Sequence, residues 1–293
     1  MSSAVPNAAK FRTLLASRKM IVAPGAIDCI TGRAIAQAGF SAVYMTGAGT
    51  SATLGYPDYG LITMSEMVGN ASRISKSIDI PLISDSDTGF GNELNVFRTV
   101  QEFESAGVAA IHIEDQVFPK KCGHLDNKEL VSREDFVAKI RAASAARRSK
   151  DFCIIARTDS RAVVGLEEAI ERANLALANG ADVAFVEAPQ TMAEIEAVPK
   201  LVKGPCLLNV VRGGKTPEIE LEVAERMGYA IAIVPGLLLG GIIQTCDRLL
   251  ADLKQGKFPP VSGSPGKTFA RFGAAEWDAR RTAFRDPIKI AAE

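Results

Sequence analysis

The sequence predicts a closed parallel barrel of the (β/α)8 type. Short apolar runs alternate with helical patterns eight times without a break between residues 20 and 254. Four of the helix-to-strand joints echo one another: AQAGFSAVYM, ESAGVAAIHI, LANGADVAFV and ERMGYAIAIV. In each, Gly39, Gly107, Gly180 or Gly228 sits where a left-handed helix terminator is needed, ahead of strands two, four, six and eight. The size agrees as well: 293 residues, 47% of them apolar, suit one barrel, and no Pro/Gly/Ser-rich linker divides the chain. An open doubly wound sheet would carry similar glycine punctuation, but the count of eight favours closure.

Taken in order, residues 8–18 read as a short amphipathic helix within an N-terminal segment, 1–19. Strand and helix then follow as 20–24 and 28–38, with 42–46 as the second strand. Thr63 and Glu66 have capping-box spacing at the start of a helix over 63–77. Residues 81–84 and 93–105 form the third pair. Residues 110–113 and 133–147 form the fourth, its helix capped by Ser132. The remaining pairs are 152–156 with 166–178, 183–186 with 192–201, 206–210 with 217–227, and 230–234 with 238–254. Pro217 lies in the first turn of its helix. Residues 1–293 therefore read as a single barrel domain. A tail from about 257 to 293, carrying Trp277, is expected to pack on the barrel or on a neighbouring subunit.

Thirty-four basic side chains balance 34 acidic ones, which removes any global attraction for nucleic acid or an anionic membrane. The longest apolar run, 230–243, contains Pro235 and glycines and is too short to span a bilayer. Five cysteines (29, 122, 153, 206 and 246) form no CxxC pair, and Cys153 and Cys206 fall inside apolar runs as buried small hydrophobes. With no signal-like apolar stretch at the N-terminus, the expectation is a reducing, cytoplasmic compartment.

In a barrel of this type the chemistry gathers at the C-terminal strand ends. Those ends carry Tyr44, Thr46, Gly47 and Ala48; Asp85 and Asp87; His112 and Glu114; Arg157 and Asp159; Glu187; and Asn209 with Arg212. Asp85 and Asp87 share one face of their strand, as do His112 and Glu114. Oxygen ligands without thiolates suit Mg²⁺, with Mn²⁺ as a substitute, over Zn²⁺. The bland alternative is a pair of loop carboxylates capping the next helix. Thr46-Gly-Ala-Gly offers backbone amides for close approach of a carboxylate, and Arg157 suits bidentate binding of one. The stretch 110–132 concentrates the rest: Lys120, Lys121, Cys122 and His124 follow the strand within about a dozen residues. A thiol between lysines and a histidine reads as one biased toward thiolate.

The segments SDSDTGFG (84–91), HIEDQ (112–116), KKCGH (120–124) and ARTD (156–159), with Asn209, resemble the isocitrate lyase/phosphoenolpyruvate mutase superfamily. The resemblance spans residue 8 to the eighth helix. KKCGH looks like the lyase branch, since mutase and decarboxylase members lack the cysteine. The run NVVRGGKTP (209–217) looks like the short lyases acting on methylisocitrate or dimethylmalate, and like the oxaloacetate hydrolases. That similarity implies a Mg²⁺-dependent carbon–carbon lyase acting on a 2-hydroxy di- or tricarboxylate, with Cys122 as general acid. Oxaloacetate hydrolysis or decarboxylation is the alternative. It implies Asp85 on the metal, Asp87 and Glu114 on its waters, and Asp58 beside the metal or the gate. Tyr44, Thr46, Gly47, Ala48, His112, Gly123, Arg157 and Asn209 would surround the substrate. Lys120, Cys122 and His124, on a gating loop over 117–131, would join Tyr44, Arg157 and Glu187 as the catalytic set. It also implies a homotetramer, a dimer of dimers that exchange the eighth helix. Arg212, where an acidic residue is usual, and IVPGLLLG (233–240) depart from the family pattern.

Overall fold

The structure, a computed structural model, describes residues 5–260 and 263–285. Eight strands form the barrel: β1 (Ile21–Ala26), β2 (Val43–Met45), β3 (Leu82–Asp85), β4 (Ala110–Glu114), β5 (Cys153–Thr158), β6 (Val183–Val186), β7 (Cys206–Asn209) and β8 (Ile231–Val234). They pair in sequence order, all parallel, and β8 returns to β1 through Ile21↔Ile231 to Pro24↔Val234. Thirteen helices are described: α1 (Asn7–Ala16), α2 (Cys29–Gln37), α3 (Gly47–Thr53), α4 (Met64–Ser77), α5 (Glu93–Ser105), α6 (Arg133–Ala146), α7 (Ser160–Val163), α8 (Leu166–Ala178), α9 (Met192–Leu201), α10 (Leu221–Met227), α11 (Leu237–Lys254), α12 (Pro265–Ala270) and α13 (Ala274–Phe284).

The chain separates into two compact units, Met1–Ile242 and Ile243–Glu293. The first holds the barrel. Alternation along each strand sorts its side chains. Ile21, Ala23, Tyr44, Ile83, Ala110, Ile155, Val183, Phe185, Leu207, Ile231 and Ile233 form one buried cluster. Val43, Met45, Leu82, Ile111, Ile113 and Ile154 pack instead with helix residues such as Met67, Ile74, Val100 and Phe103. Burying a phenyl such as Phe103 fully is worth about 1.5–3 kcal/mol. Phe11 of α1 belongs to the first cluster and is fully buried. Arg12 beside it binds the carbonyls of Asp151 and Phe152 and the Asp182 carboxylate, fixing α1 where β5 and β6 begin. Cys153 and Cys206 are buried and unbridged, as expected.

Helix starts follow the local chemistry. Thr63 and Glu66 close a capping box on α4, and the Ser132 hydroxyl accepts from the Asp135 amide on α6 at 3.0 Å. The four repeated glycines take φ of +84° to +110°, as the joint pattern predicts. Four helices are additional, α3 and α7 in the first unit and α12 and α13 in the second, and β5 runs on to Thr158. Helix α10 begins at Leu221 and not at Pro217, because the chain lays Ile219 against the apolar layer beside Val210 and Leu221.

In the second unit the Ser264 side chain caps α12. Gly273, at φ +80°, separates α12 from α13, where Arg280 stacks 4.8 Å over Trp277. Among the described residues no helix is long and apolar enough to cross a membrane.

Candidate active site at the C-terminal rim

Strand register assembles the site. Asp85 pairs with His112, Glu114 with Arg157, and Arg157 with Phe185, so carboxylates, imidazole and guanidinium alternate across β3–β6. His112 is fully buried between Tyr44, whose hydroxyl lies 2.8 Å from Nε2, and the edge of Phe185. Burial pushes the His112 pKa down to about 4, so the ring is neutral at ordinary pH. Burial and the Asp85 carboxylate push the Tyr44 phenol well above its usual value. The Tyr44 and His112 pair is therefore uncharged, and it moves a proton only by exchange within the hydrogen bond.

Asp85 accepts from the Gly47 amide at 3.1 Å and from the Asp87 amide at 2.9 Å. Burial opposes its ionisation. The ring of His112 and the charges of Lys120 and Arg157 overcome this and hold it below the carboxylate range. Asp87 goes the other way, up to about 6, through burial and the nearby Asp85 and Asp58, against the pull of Lys120. Its backbone is left-handed, φ 47°, a conformation that costs a non-glycine residue about 1 kcal/mol or more and clusters at functional sites. Lys120 lies 2.9 Å from Asp87 and also pairs with Asp58.

Glu114 is wholly buried, yet neither carboxylate oxygen accepts a hydrogen bond; Arg157 Nη1 stands 3.2 Å away, out of line. Burial drives its pKa well up. A buried carboxylate without donors is costly. Six carboxylates (Asp58, Asp85, Asp87, Glu114, Asp159 and Glu187) face three cations, Lys120, Lys128 and Arg157. The orphaned oxygens and surplus negative charge fit a hard divalent cation. Among the described residues no three His, Cys, Asp or Glu side chains converge as direct ligands. Mg²⁺ is such a cation: it keeps several waters and takes one or two carboxylates directly.

Arg157 is clamped by Asp159, Nε to Oδ2 at 2.9 Å and Nη2 to Oδ1 at 3.2 Å, and lies 5.2 Å from the Phe185 ring centre. Burial opposes ionisation of Asp159, but Arg157 and Lys128 outweigh it and hold the carboxyl far below its usual value. Glu187 receives Asn209 Nδ2 at 3.2 Å on both oxygens, and His124 Nε2 stands 2.9 Å from Oε1. The Lys215 amide donates to His124 Nδ1 at 3.0 Å, so a neutral ring carries its proton on Nε2, toward Glu187. The Asn209 carbonyl oxygen has no hydrogen-bond partner among the described residues.

The segment 117–131 lies down over this rim. Gln116 bridges Leu130, the Val117 amide binds Glu129, and the Val131 amide binds Asp115. Arg172 ties the Val131 carbonyl to Asp115. The Cys122 amide donates to the Asp58 carbonyl at 3.1 Å. Gly123 is pressed so close that a Cβ there would lie 2.4 Å from Arg157 Nη2 and 2.7 Å from Glu187 Cγ. The backbone at Cys122 and Gly123 is thus held between Asp58 and the Arg157–Glu187 pair.

Three expectations need correction. Lys120 and His124 do not stabilise a Cys122 thiolate: Lys120 turns to Asp58 and Asp87, and His124 to Glu187. Burial pushes the thiol above its ordinary pKa, despite a hydrogen bond from the His124 amide, so Cys122 is a protonated thiol. Thr46 to Gly49 are not an open cradle of amides. Thr46 caps α3, the Gly47 amide is taken by Asp85, and Ala48 lies half-buried in the first turn. Arg212 is exposed and paired with Glu218 at 3.4 Å, and joins none of the buried ion pairs of the rim among the described residues. Three contributors escape a sequence reading: Lys128, Asp115 and Arg172. Each is an ordinary charged residue whose burial only the closed loop and β5 explain.

The comparisons with known proteins agree with this geometry. The phosphoenolpyruvate phosphomutase family model matches residues 11–254. A 2,3-dimethylmalate lyase of Eubacterium barkeri is 50% identical over 230 residues, 78% of this chain and 80% of that protein. The structure of an oxaloacetate acetylhydrolase bound to the inhibitor 3,3-difluorooxalacetate superposes with a TM-score of 0.92 at 36% identity, covering 97% of this chain and 99% of that one. A phosphonopyruvate hydrolase in complex with oxalate and Mg²⁺ superposes with a TM-score of 0.86 at 29% identity, covering 96% and 100%. The chain belongs to the phosphoenolpyruvate mutase/isocitrate lyase superfamily, and within it to the carbon–carbon lyases.

Proposed function

We propose that this enzyme cleaves the C2–C3 bond of a 2-hydroxy di- or tricarboxylate, of the 2,3-dimethylmalate or 2-methylisocitrate kind, in a Mg²⁺-dependent reaction. The products are a 2-oxo acid and a carboxylate. The observation that carries this reading is the seating of Cys122 and Gly123, on the Asp58 carbonyl and against Arg157 and Glu187, in a rim whose Glu114 carboxylate lacks hydrogen-bond donors. Asp85 would hold the metal, with Asp87 and Glu114 on its waters and Asp58 at the edge beside Lys120. When bound, the ion supplies Lewis-acid polarisation and positive charge for the developing anion.

The chain's own residues do the rest. Arg157, Asn209 and His112 orient the carboxylate and hydroxyl end, with the first turn of α3 at Thr46, Gly47 and Ala48 as the wall beside them. The hydroxyl proton leaves through the Tyr44 hydroxyl, which passes its own proton to His112 Nε2, or through a carboxylate and water. The C2–C3 electron pair passes to C3, whose carboxylate stabilises the carbanion. Cys122 donates its proton there, becomes thiolate, and recovers a proton from solvent. Loop 117–131 excludes water while the carbanion exists.

The likeness to the oxaloacetate acetylhydrolase supports a second reading, in which the same electron flow splits hydrated oxaloacetate to oxalate and acetate. Incubating the protein and Mg²⁺ with 2,3-dimethylmalate, 2-methylisocitrate, isocitrate and oxaloacetate separates the two. Release of pyruvate or glyoxylate from a hydroxy acid is expected. Oxalate from oxaloacetate alone would replace the lyase reading with the hydrolase one.

The same reading includes a homotetramer, a dimer of dimers exchanging the eighth helix. Helix α11 has no buried residue among those described, and Leu237, Ile242, Ile243, Leu250 and Leu253 are exposed on it. An 18-residue helix with an uncovered apolar stripe is stable only when packed. Light scattering on the eluting protein should give a four-chain mass, and a monomer at micromolar concentration would refute it.

A further inference from the structure

We propose that Lys128 is a positioning residue that sets the acid Cys122 and the clamp on Arg157 in one step of loop closure. This rests on the lyase reading above for its consequence in turnover, but not for its geometry. The Lys128 side chain is almost wholly buried. Its ammonium donates to the Gly123 carbonyl, the residue next to Cys122, and to Asp159 Oδ1 at 2.8 Å. Asp159 is the residue that grips Arg157 at both Nε and Nη2. Gly123 in turn lies directly on Arg157 and Glu187. Lys128 therefore draws the backbone beside the thiol down against the guanidinium whose counter-ion it shares.

The physics gives this contact a sign. An ammonium buried without a partner costs several kcal/mol, so the segment settles only where Asp159 and the Gly123 carbonyl meet it together. Every other charge on the segment has a different task or lies outside. Lys120 is taken by Asp58 and Asp87, Lys121 reaches the Asn127 carbonyl at the surface, and exposed Asp126 pairs with Lys215. Lys128 alone among them connects the stretch holding Cys122 to the floor of the site through β5. Glu114 and Glu187 face Arg157 from β4 and β6, at 3.2 and 4.0 Å, and neither contacts Lys128. Losing the ammonium takes one of the two partners of Asp159 Oδ1 away and frees the Gly123 carbonyl, so the stretch beside Cys122 is left held only by the Cys122 amide and by Lys120 and His124.

The test needs no substrate, so its failure is distinct from failure of the lyase assignment. The full chain and its Lys128→Met variant are treated with iodoacetamide at pH 8, and alkylation of Cys122 is followed by mass spectrometry. The variant should label at least about tenfold faster, as expected when a local closing equilibrium is shifted, with the unfolding midpoint unchanged. Lys128→Gln, which keeps a donor for the Gly123 carbonyl but no charge, should label equally fast. It decides the matter if the methionine variant fails to fold. Labelling at the wild-type rate overturns the proposal, and a lowered unfolding midpoint with wild-type labelling reduces Lys128 to a structural ion pair and overturns it as well.

Discussion

Replacing Asp85 by alanine is expected to abolish turnover and its dependence on Mg²⁺ together. Of Asp85, Asp87 and Glu114, Asp85 is the one kept ionised, and it is the one that organises its surroundings, holding the amides of Gly47 and Asp87. Asp87 and Glu114 are pushed up by burial and hold a cation less well on their own. Loss of the polarising charge should cost at least about a thousandfold in kcat, roughly 4 kcal/mol of barrel-mouth stabilisation of the transition state. Asp85→Asn keeps the shape of the side chain and an acceptor for one of the two amides, so it separates metal loss from local collapse better than alanine does: it should be equally inactive while losing less unfolding stability than Asp85→Ala. Mn²⁺ binding followed by electron paramagnetic resonance should weaken in both variants. Turnover that persists in EDTA, in the wild type or in either variant, would remove the metal from the mechanism.

The rim was legible because strands are periodic. Two-residue alternation put Asp85 with Asp87 and His112 with Glu114, and parallel pairing in chain order brought the two sets side by side. The capping box at Thr63 and the glycines at the helix ends were equally local. Loop 117–131 has no such period. Its residues could be named as a set, but their directions depend on what each charge finds when it is buried. Lys120 found two carboxylates and His124 found Glu187, so the thiol between them lost the cations that spacing suggested. Lys128 looked like any loop lysine. Helix α3 was hidden for a related reason: GAGTSAT has poor helix propensity, and tertiary contacts hold it, Gly47 to Asp85 at one end and Asn70 to Thr50 and the Ile27 carbonyl along it.

Cys122→Ser is expected to keep the fold and Mg²⁺ binding but lose at least about a hundredfold in kcat, near 2.7 kcal/mol. The thiol is half-buried and accepts from the His124 amide; its place is set through the backbone, by the Asp58 carbonyl. A serine fits the same space, but its hydroxyl is a far weaker acid, so proton delivery to the C3 carbanion slows while substrate binding is little changed. The pH profile gives a second check. Burial raises the Cys122 pKa, so the acid form persists to higher pH than for an ordinary cysteine. Cleavage should therefore hold steady through mildly alkaline pH and fall only when the thiol ionises. Condensation, which needs the thiolate as base, should rise over that same range. In Cys122→Ser the alkaline limb should vanish from both directions. A variant that turns over at near the wild-type rate, with that limb intact, would mean that another group delivers the proton.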